Sequence, residues 1–195
     1  MNLLNKSVLA LLVGSLVGCG TVPMPSNVST RPGNESGDYI NTVDFSYHSA
    51  TTKVSFNKLK LCVAENVSNR SVQLIDASRS FVGPATGRYY NLQNSQTVQG
   101  GDIFKYVDPN LSTLIAIGTV DSPGIVEDII KYDLKVSVNQ TQVNLLFYNI
   151  TRAQKSTGLL ANDGFGPIGT WPGARTMQSY TALQGIANGI KLCLH

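Results

Sequence analysis

The chain contains little histidine and few charges. Its 195 residues include only His48 and His195 as histidines, and 14% of the residues are charged. Two imidazoles are too few for metal sites built on several histidines, and most serine-type catalytic triads lack their parts. Lysines and arginines form no cluster along the chain, so the charge pattern of a nucleic-acid-binding protein is missing. We therefore expect no nucleic-acid partner, no metal ion and no other cofactor.

Other combinations of catalytic groups are also scarce. Cys62 with His48 would supply a thiol nucleophile and a base, but no glycine-flanked nucleophile turn surrounds Cys62, which lies in a predicted strand. Carboxylates for acid–base chemistry are present, although no spacing marks two of them as partners: Asp102, Asp108, Asp121, Glu127, Asp128, Asp133 and Asp163. We therefore assign no catalytic residue, and an enzyme that uses loop carboxylates stays an alternative.

No apolar run is long enough to remain in a membrane. The N-terminal stretch from Val8 to Val17 is interrupted by Gly14 and Ser15, whereas a spanning helix needs about 20 apolar residues. A single charge, Lys6, precedes this stretch. This arrangement is typical of a secretory signal peptide.

Leu16-Val17-Gly18-Cys19 resembles the lipobox of bacterial lipoprotein precursors. The resemblance covers only the N-terminal segment, and it implies cleavage after Gly18 and a lipid on the Cys19 thiol. Each buried CH₂ of such a lipid contributes about 0.8 kcal/mol to membrane binding. The residue after the cysteine, Gly20, favours the outer membrane under the same resemblance. The alternative is an ordinary cleaved signal peptide, which would leave the protein freely soluble.

These features divide the chain into three parts. Residues 1–18 are the predicted signal peptide, and residues 19–38 are the lipidated N-terminus followed by a flexible tether rich in proline, glycine and serine. Residues 39–195 have the length of one domain with its own hydrophobic core. Without residues 1–18 the chain keeps 14 basic and 12 acidic side chains, so it is nearly neutral.

Alternating apolar and polar residues predict an antiparallel sheet. The clearest alternation covers 130–138, and after turn residues 139–142 it resumes over 143–150. This pattern predicts a long hairpin in the centre of the sheet. Further strands are predicted at 40–47, 53–64, 72–79 and 113–120.

The end of the chain has the periodicity of a helix. Between Ala174 and Leu194 apolar residues recur every three or four positions, which predicts one amphipathic helix packed on the sheet. Its small residues, including Gly185 and Gly189, would allow a close approach to the sheet.

Two cysteines remain after Cys19 is assigned to lipid. Cys62 and Cys193 form an even pair in an oxidising compartment, which indicates a disulfide. The alternative is two separate core residues, because a strand that turns Leu59, Leu61 and Val63 toward the helix would turn Cys62 away from it.

The stretch 162–175 combines glycines and prolines with the single tryptophan. As a recognition loop it would offer Phe165, Trp171 and Arg175, since aromatic residues and arginine dominate interface energetics. As a structured connection it would instead use Phe165 and Trp171 to cover the sheet edge, and we favour this second interpretation.

The sequence thus predicts a single α+β domain, an antiparallel sheet with a C-terminal helix packed on it. We expect a lipoprotein of the bacterial envelope, anchored in the outer membrane through Cys19 and facing the periplasm. It would act as a binding or structural module for another envelope protein or a glycan. The alternative is an enzyme that acts on peptidoglycan, lipid or peptide.

Overall fold

The computed structural model describes residues 23–34, 37–48 and 54–195, and within these ranges it has two helices and eleven strands. The helices are α1 (Phe56–Asn66) and α2 (Thr176–Leu194). The strands are β1 (Val28–Asn34), β2 (Gly37–His48), β3 (Val72–Asp76), β4 (Phe81–Val82), β5 (Tyr89–Tyr90), β6 (Asn94–Val98), β7 (Phe104–Asp108), β8 (Thr113–Ser122), β9 (Asp128–Asn139), β10 (Gln142–Gln154) and β11 (Gly166–Pro167). The predicted signal peptide and Cys19 lie outside these ranges. Neither helix combines the length and the apolar character needed to cross a bilayer.

The main sheet is antiparallel, in the order β1-β2-β10-β9-β8-β7, with β11 added beside β10. The predicted hairpin is confirmed as β9 and β10, whose register pairs Val136 with Leu145 and Leu134 with Phe147. The turn between these strands uses Gln140 at φ 53°. The predicted strands at 40–47 and 113–120 lie within β2 and β8, and the one at 72–79 ends at Asp76. The α+β class is therefore confirmed.

Both helices pack on the same face of the sheet. The buried residues Leu59 and Val63 of α1 and Leu183 and Ile190 of α2 share one core cluster with the inward side chains of β8, β9 and β10. Within it the rings of Tyr132 and Phe147 meet edge to face, with centroids 5.2 Å apart. The predicted C-terminal helix is thereby confirmed.

A second, smaller core lies on the opposite face. Successive residues of a strand point to opposite sides, so Ile129 faces away from the helices while Ile130 faces them. Ile129 and its partner Ala153 pack against Val72 and Leu74 of β3, which pairs with β6 in a separate two-stranded sheet. This small sheet covers one end of the main sheet.

The strand predicted over 53–64 is wrong, because α1 occupies this region. Leu59, Cys62 and Val63 are fully buried, whereas Leu61 is 57% exposed, and the spacing of the buried residues is that of one helix face. The alternation of Leu59, Leu61 and Val63 is therefore incidental.

The position of α1 also decides whether Cys62 and Cys193 form a disulfide or stay separate. Cys62 and Cys193 form a disulfide between α1 and α2, with their Cα atoms 5.6 Å apart. On a helix, Cys62 shares the inward face with Leu59, so the conflict expected for a strand disappears. Cys62 is oxidised here, which also argues against the thiol nucleophile considered with His48.

Part of the predicted tether is a strand. Residues 28–34 form β1, which pairs with β2 through Val28 and Val43, Thr30 and Ile40, and Arg31 and Tyr39. Prolines and small polar residues are tolerated there because β1 lies at a sheet edge, where only one side must donate to a neighbour. Flexibility is therefore the wrong expectation for residues 28–34.

Candidate functional site

The residues of the predicted recognition loop lie in three different environments. Phe165 packs on the small core around Val72 and Ile129, with the Lys131 ammonium group 6.0 Å from its ring centroid. This position is on the face of the sheet opposite the helices. Phe165 thus contributes to packing between the two sheets.

Trp171 lies beside the beginning of β2. Its ring meets Tyr39 edge to face at 5.7 Å, and Tyr39 forms a bridge with Gly169. The Thr170 amide donates to the Asp38 carbonyl oxygen over 3.0 Å. These contacts favour the structured connection over the recognition loop for this residue.

Arg175 connects the start of α2 to the sheet. Its Nε and Nη2 donate to the two carboxylate oxygens of Asp128, at 2.5 and 3.1 Å, and the Asp128 side chain is only 1% exposed. Arg152 lies beside the same carboxylate at 3.8 Å. Burial, and then the neighbouring Arg175 charge, lower the pKa of Arg152. The guanidinium of Arg175 is engaged in this buried cluster.

Several of the candidate carboxylates have neighbours of their own. Asp121 pairs with Arg70 and Lys155, and Asp133 pairs with Lys105. Among the described residues no group of three or more histidine, cysteine or acidic side chains could hold a metal ion. Asp121 and Asp133 are therefore members of ion pairs.

A different segment carries the most exposed aromatic surface. We define the aromatic arm as residues 78–93, which contain β4 and β5. Phe81 pairs with Tyr90 and Val82 with Tyr89, and the rings of Phe81 and Tyr90 stack with centroids 5.1 Å apart. Gly87 adopts φ 62° near the end of the turn, a conformation that glycine takes without steric cost. The arm is therefore a short hairpin outside both cores.

Asp76 fixes the base of the arm. Its Oδ1 accepts hydrogen bonds from the Ser78 hydroxyl at 2.5 Å and the Ser78 amide at 3.0 Å, and its Oδ2 accepts from the Asn162 amide at 3.3 Å. These donors, led by the Ser78 side chain, lower the pKa of Asp76. The Ala77 amide also donates to the Gly158 carbonyl oxygen. The base is thereby joined to the segment 155–162.

A cavity of about 250 Å³ lies between the base of the arm and this segment. Its lining combines apolar surface with uncharged polar groups and one carboxylate: Ile75, Asp76, Ala77, Tyr89, Asn91, Gln93, Ser156, Gly158 and Leu159. The Gln93 carboxamide makes no hydrogen bond within the part of the chain that the structure describes. Its donor and acceptor atoms are available to a ligand.

Two exposed apolar side chains, Tyr89 and Leu159, line this cavity, and Val82 and Leu160 are their exposed neighbours in the hairpin and in the chain. Tyr89, which lines it, is 56% exposed, and Val82 shares the same face of the hairpin. Leu159 and Leu160 are 66% and 75% exposed. Apolar side chains exposed as a group mark interaction sites on soluble domains, so the cavity and its rim form the candidate site.

This site was not predicted from the sequence, although a signal was present. Phe81-Val82 and Tyr89-Tyr90 flank Gly83-Pro84 and Gly87, a pattern of short apolar pairs around turn residues that fits a hairpin. Two-residue strands carry too little periodicity to stand out. No family model and no curated protein matches the chain.

Proposed function

We propose that this chain is a lipid-anchored binding module of the bacterial cell envelope, and that it binds its partner through the cavity and the aromatic arm. The single observation that carries the binding role is the exposure of Tyr89 and Leu159 at a cavity whose lining combines apolar surface with polar groups. Tyrosine and arginine supply much of the binding energy at interfaces. The arm contains both types, with Arg79 and Arg88 and no acidic residue.

The anchoring role depends on the lipobox resemblance at Leu16–Cys19. If Cys19 carries lipid, eight residues separate it from Val28, the first residue of β1. A chain of that length reaches at most about 30 Å. The domain would therefore remain close to the membrane surface.

The register of the sheet supports a separation between anchor and site. Val28 enters the sheet opposite Val43, which pairs with Phe147. At the other end, β10 finishes at Gln154, and Ser156 just beyond it forms a bridge with Ile75, which precedes the arm. Seven residues of strand between Phe147 and Gln154 span roughly 20 Å. This separation leaves the arm accessible while the N-terminus is attached to lipid.

Photo-crosslinking in intact cells, followed by fractionation, tests both parts. A photoreactive phenylalanine analogue in place of Leu160 should form adducts, whereas the same analogue in place of Leu192 should form none. Both leucines are 75% exposed, but Leu192 lies on α2, so the pair controls for exposure. Equal crosslinking at the two positions would refute the assignment of the site.

The same cells report on the anchor. Cys19→Ser should move the protein from the membrane fraction to the soluble fraction and change its apparent mass, because the acylated sulfur is lost. Thr21→Ser, just outside the lipobox, should leave the distribution unchanged. A Cys19→Ser protein that stays in the membrane fraction would disprove lipid anchoring without affecting the crosslinking result.

A further inference from the structure

We infer that the cavity at the base of the aromatic arm binds one ring of a glycan that contains N-acetylated sugars. The inference rests on the proposed function, because it names the ligand class of the same site.

The size of the cavity favours a single ring. Small-molecule pockets usually measure about 300–1,000 Å³, and this cavity, at about 250 Å³, is slightly smaller. It is open to solvent beside exposed Leu159, which Leu160 follows in the chain. The remaining rings of a longer glycan could therefore lie outside it, against this apolar rim.

The chemistry of the walls fits a pyranose. A sugar ring has a C–H face and a rim of hydroxyl groups, so it packs on an aromatic side chain while it exchanges hydrogen bonds with polar ones. Tyr89 supplies the aromatic surface, and Asn91, Gln93 and Ser156 supply donors and acceptors. Carboxamides are suited to this role because each one both donates and accepts.

The same walls fit an acetamido substituent. Its amide group can pair with the free carboxamide of Gln93, and its methyl group can contact Ala77 and Leu159. Asp76 is the single charged residue of the lining, and its oxygens already accept hydrogen bonds from Ser78 and Asn162. Most of the acceptor positions of this carboxylate are therefore occupied by groups of the protein. The remaining polar groups of the lining are uncharged, and they suit an uncharged sugar.

Titration of the full-length chain in detergent micelles tests the inference. The probe is the soluble β-linked tetramer of N-acetylglucosamine, followed by ligand-observed NMR, with the corresponding glucose tetramer as the comparison. We expect the acetylated tetramer to bind several-fold more tightly. Gln93→Leu should reduce this preference, because the partner of the acetamido group is lost.

Tyr89→Leu should weaken binding of the acetylated tetramer about three- to tenfold, which is the range expected for one aromatic contact. Tyr106→Leu is the matched control, since Tyr106 is 45% exposed in β7 and does not line the cavity. This control should bind like the unaltered chain. Circular dichroism should show that both variants are folded.

The inference is overturned if the unaltered chain does not bind the acetylated tetramer, or if Tyr89→Leu binds it equally well. Adducts at position 160 in cells would then still support a binding module whose ligand belongs to another class, such as a protein. Absence of those adducts would refute the proposed function itself, so the two failures are distinguishable.

Discussion

At the residue scale, Arg175 shows how burial decides the role of a charged side chain. Its residue type suits an interface, but the structure places its guanidinium against Asp128, the least exposed carboxylate among the described ion pairs. The backbone of Arg175 adopts φ 56° immediately before α2, which directs the chain from the loop into the helix. Removal of one member of a buried ion pair leaves the other charge uncompensated.

Arg175→Ala should therefore lower the free energy of unfolding by about 3 kcal/mol, at the lower end of the range for buried pairs because Arg152 still faces Asp128. Arg70→Ala is the control, since Arg70 and Asp121 form an exposed pair, with side chains 53% and 48% exposed. Its cost should stay below about 1 kcal/mol. Urea unfolding followed by far-UV circular dichroism measures both. Equal costs would show that the Asp128 cluster is not a stabilising feature.

At the scale of elements, the two glycines of α2 do not approach the sheet as expected, because Gly189 faces α1 and Gly185 is exposed. A Cβ atom added at Gly189 would lie 2.1 Å from Oδ1 of Asn66, which is the last residue of α1. The Asn66 side chain also donates to the Cys62 carbonyl oxygen over 2.8 Å. Gly185 lies on the same helix, and nothing stands within 4 Å of an added Cβ there. The two glycines of α2 therefore have different structural roles.

Gly185→Ala should raise the free energy of unfolding by about 0.5–1 kcal/mol, because alanine is the better helix former. Gly189→Ala should not be stabilised, because alanine would displace the Asn66 side chain and break its hydrogen bond to the Cys62 carbonyl oxygen, a loss of about 1 kcal/mol that offsets the same gain. Thermal and urea unfolding of the two variants give the comparison. If Gly189→Ala were stabilised as much as Gly185→Ala, close contact between α1 and α2 at this point would be refuted.

At the scale of the whole molecule, the disulfide closes almost the entire domain. Cys62 and Cys193 are 131 residues apart in sequence, and their bond joins the two helices that cover the main sheet. A closed loop of that length restricts the unfolded chain strongly, which the chain-entropy model values at about 5 kcal/mol. The small sheet and the aromatic arm lie inside this loop.

Treatment with a reducing agent should lower the free energy of unfolding by about 2–5 kcal/mol. A Cys62→Ala/Cys193→Ala double variant should start near the reduced value, and the reducing agent should not change it further. Urea midpoints measured with and without the reductant make the comparison. If the reductant left the urea midpoint of the unaltered chain unchanged, a stabilising cross-link would be contradicted.

Much of the fold was predictable where the signal is local and long. Alternation over 130–138 and 143–150 predicts the β9–β10 hairpin, and the stripe that ends at Leu194 predicts α2. The candidate site was not predictable in the same way, because β4 and β5 are two residues long. The lining of the cavity also comes from distant parts of the sequence, since more than sixty residues lie between Gln93 and Ser156.

The sequence by itself determined the class of the domain, its central hairpin and its terminal helix. The reason is that the spacing of apolar residues along each of these long segments already indicates which side chains are buried. Only the tertiary structure decided that residues 56–66 form a helix, that Cys62 and Cys193 form a disulfide, and that β1 is the edge strand beside β2. The physical reason is that an eleven-residue amphipathic segment contains too few repeats to distinguish one period from another. Packing of Leu59 and Val63 against α2 provides the free energy that makes the choice.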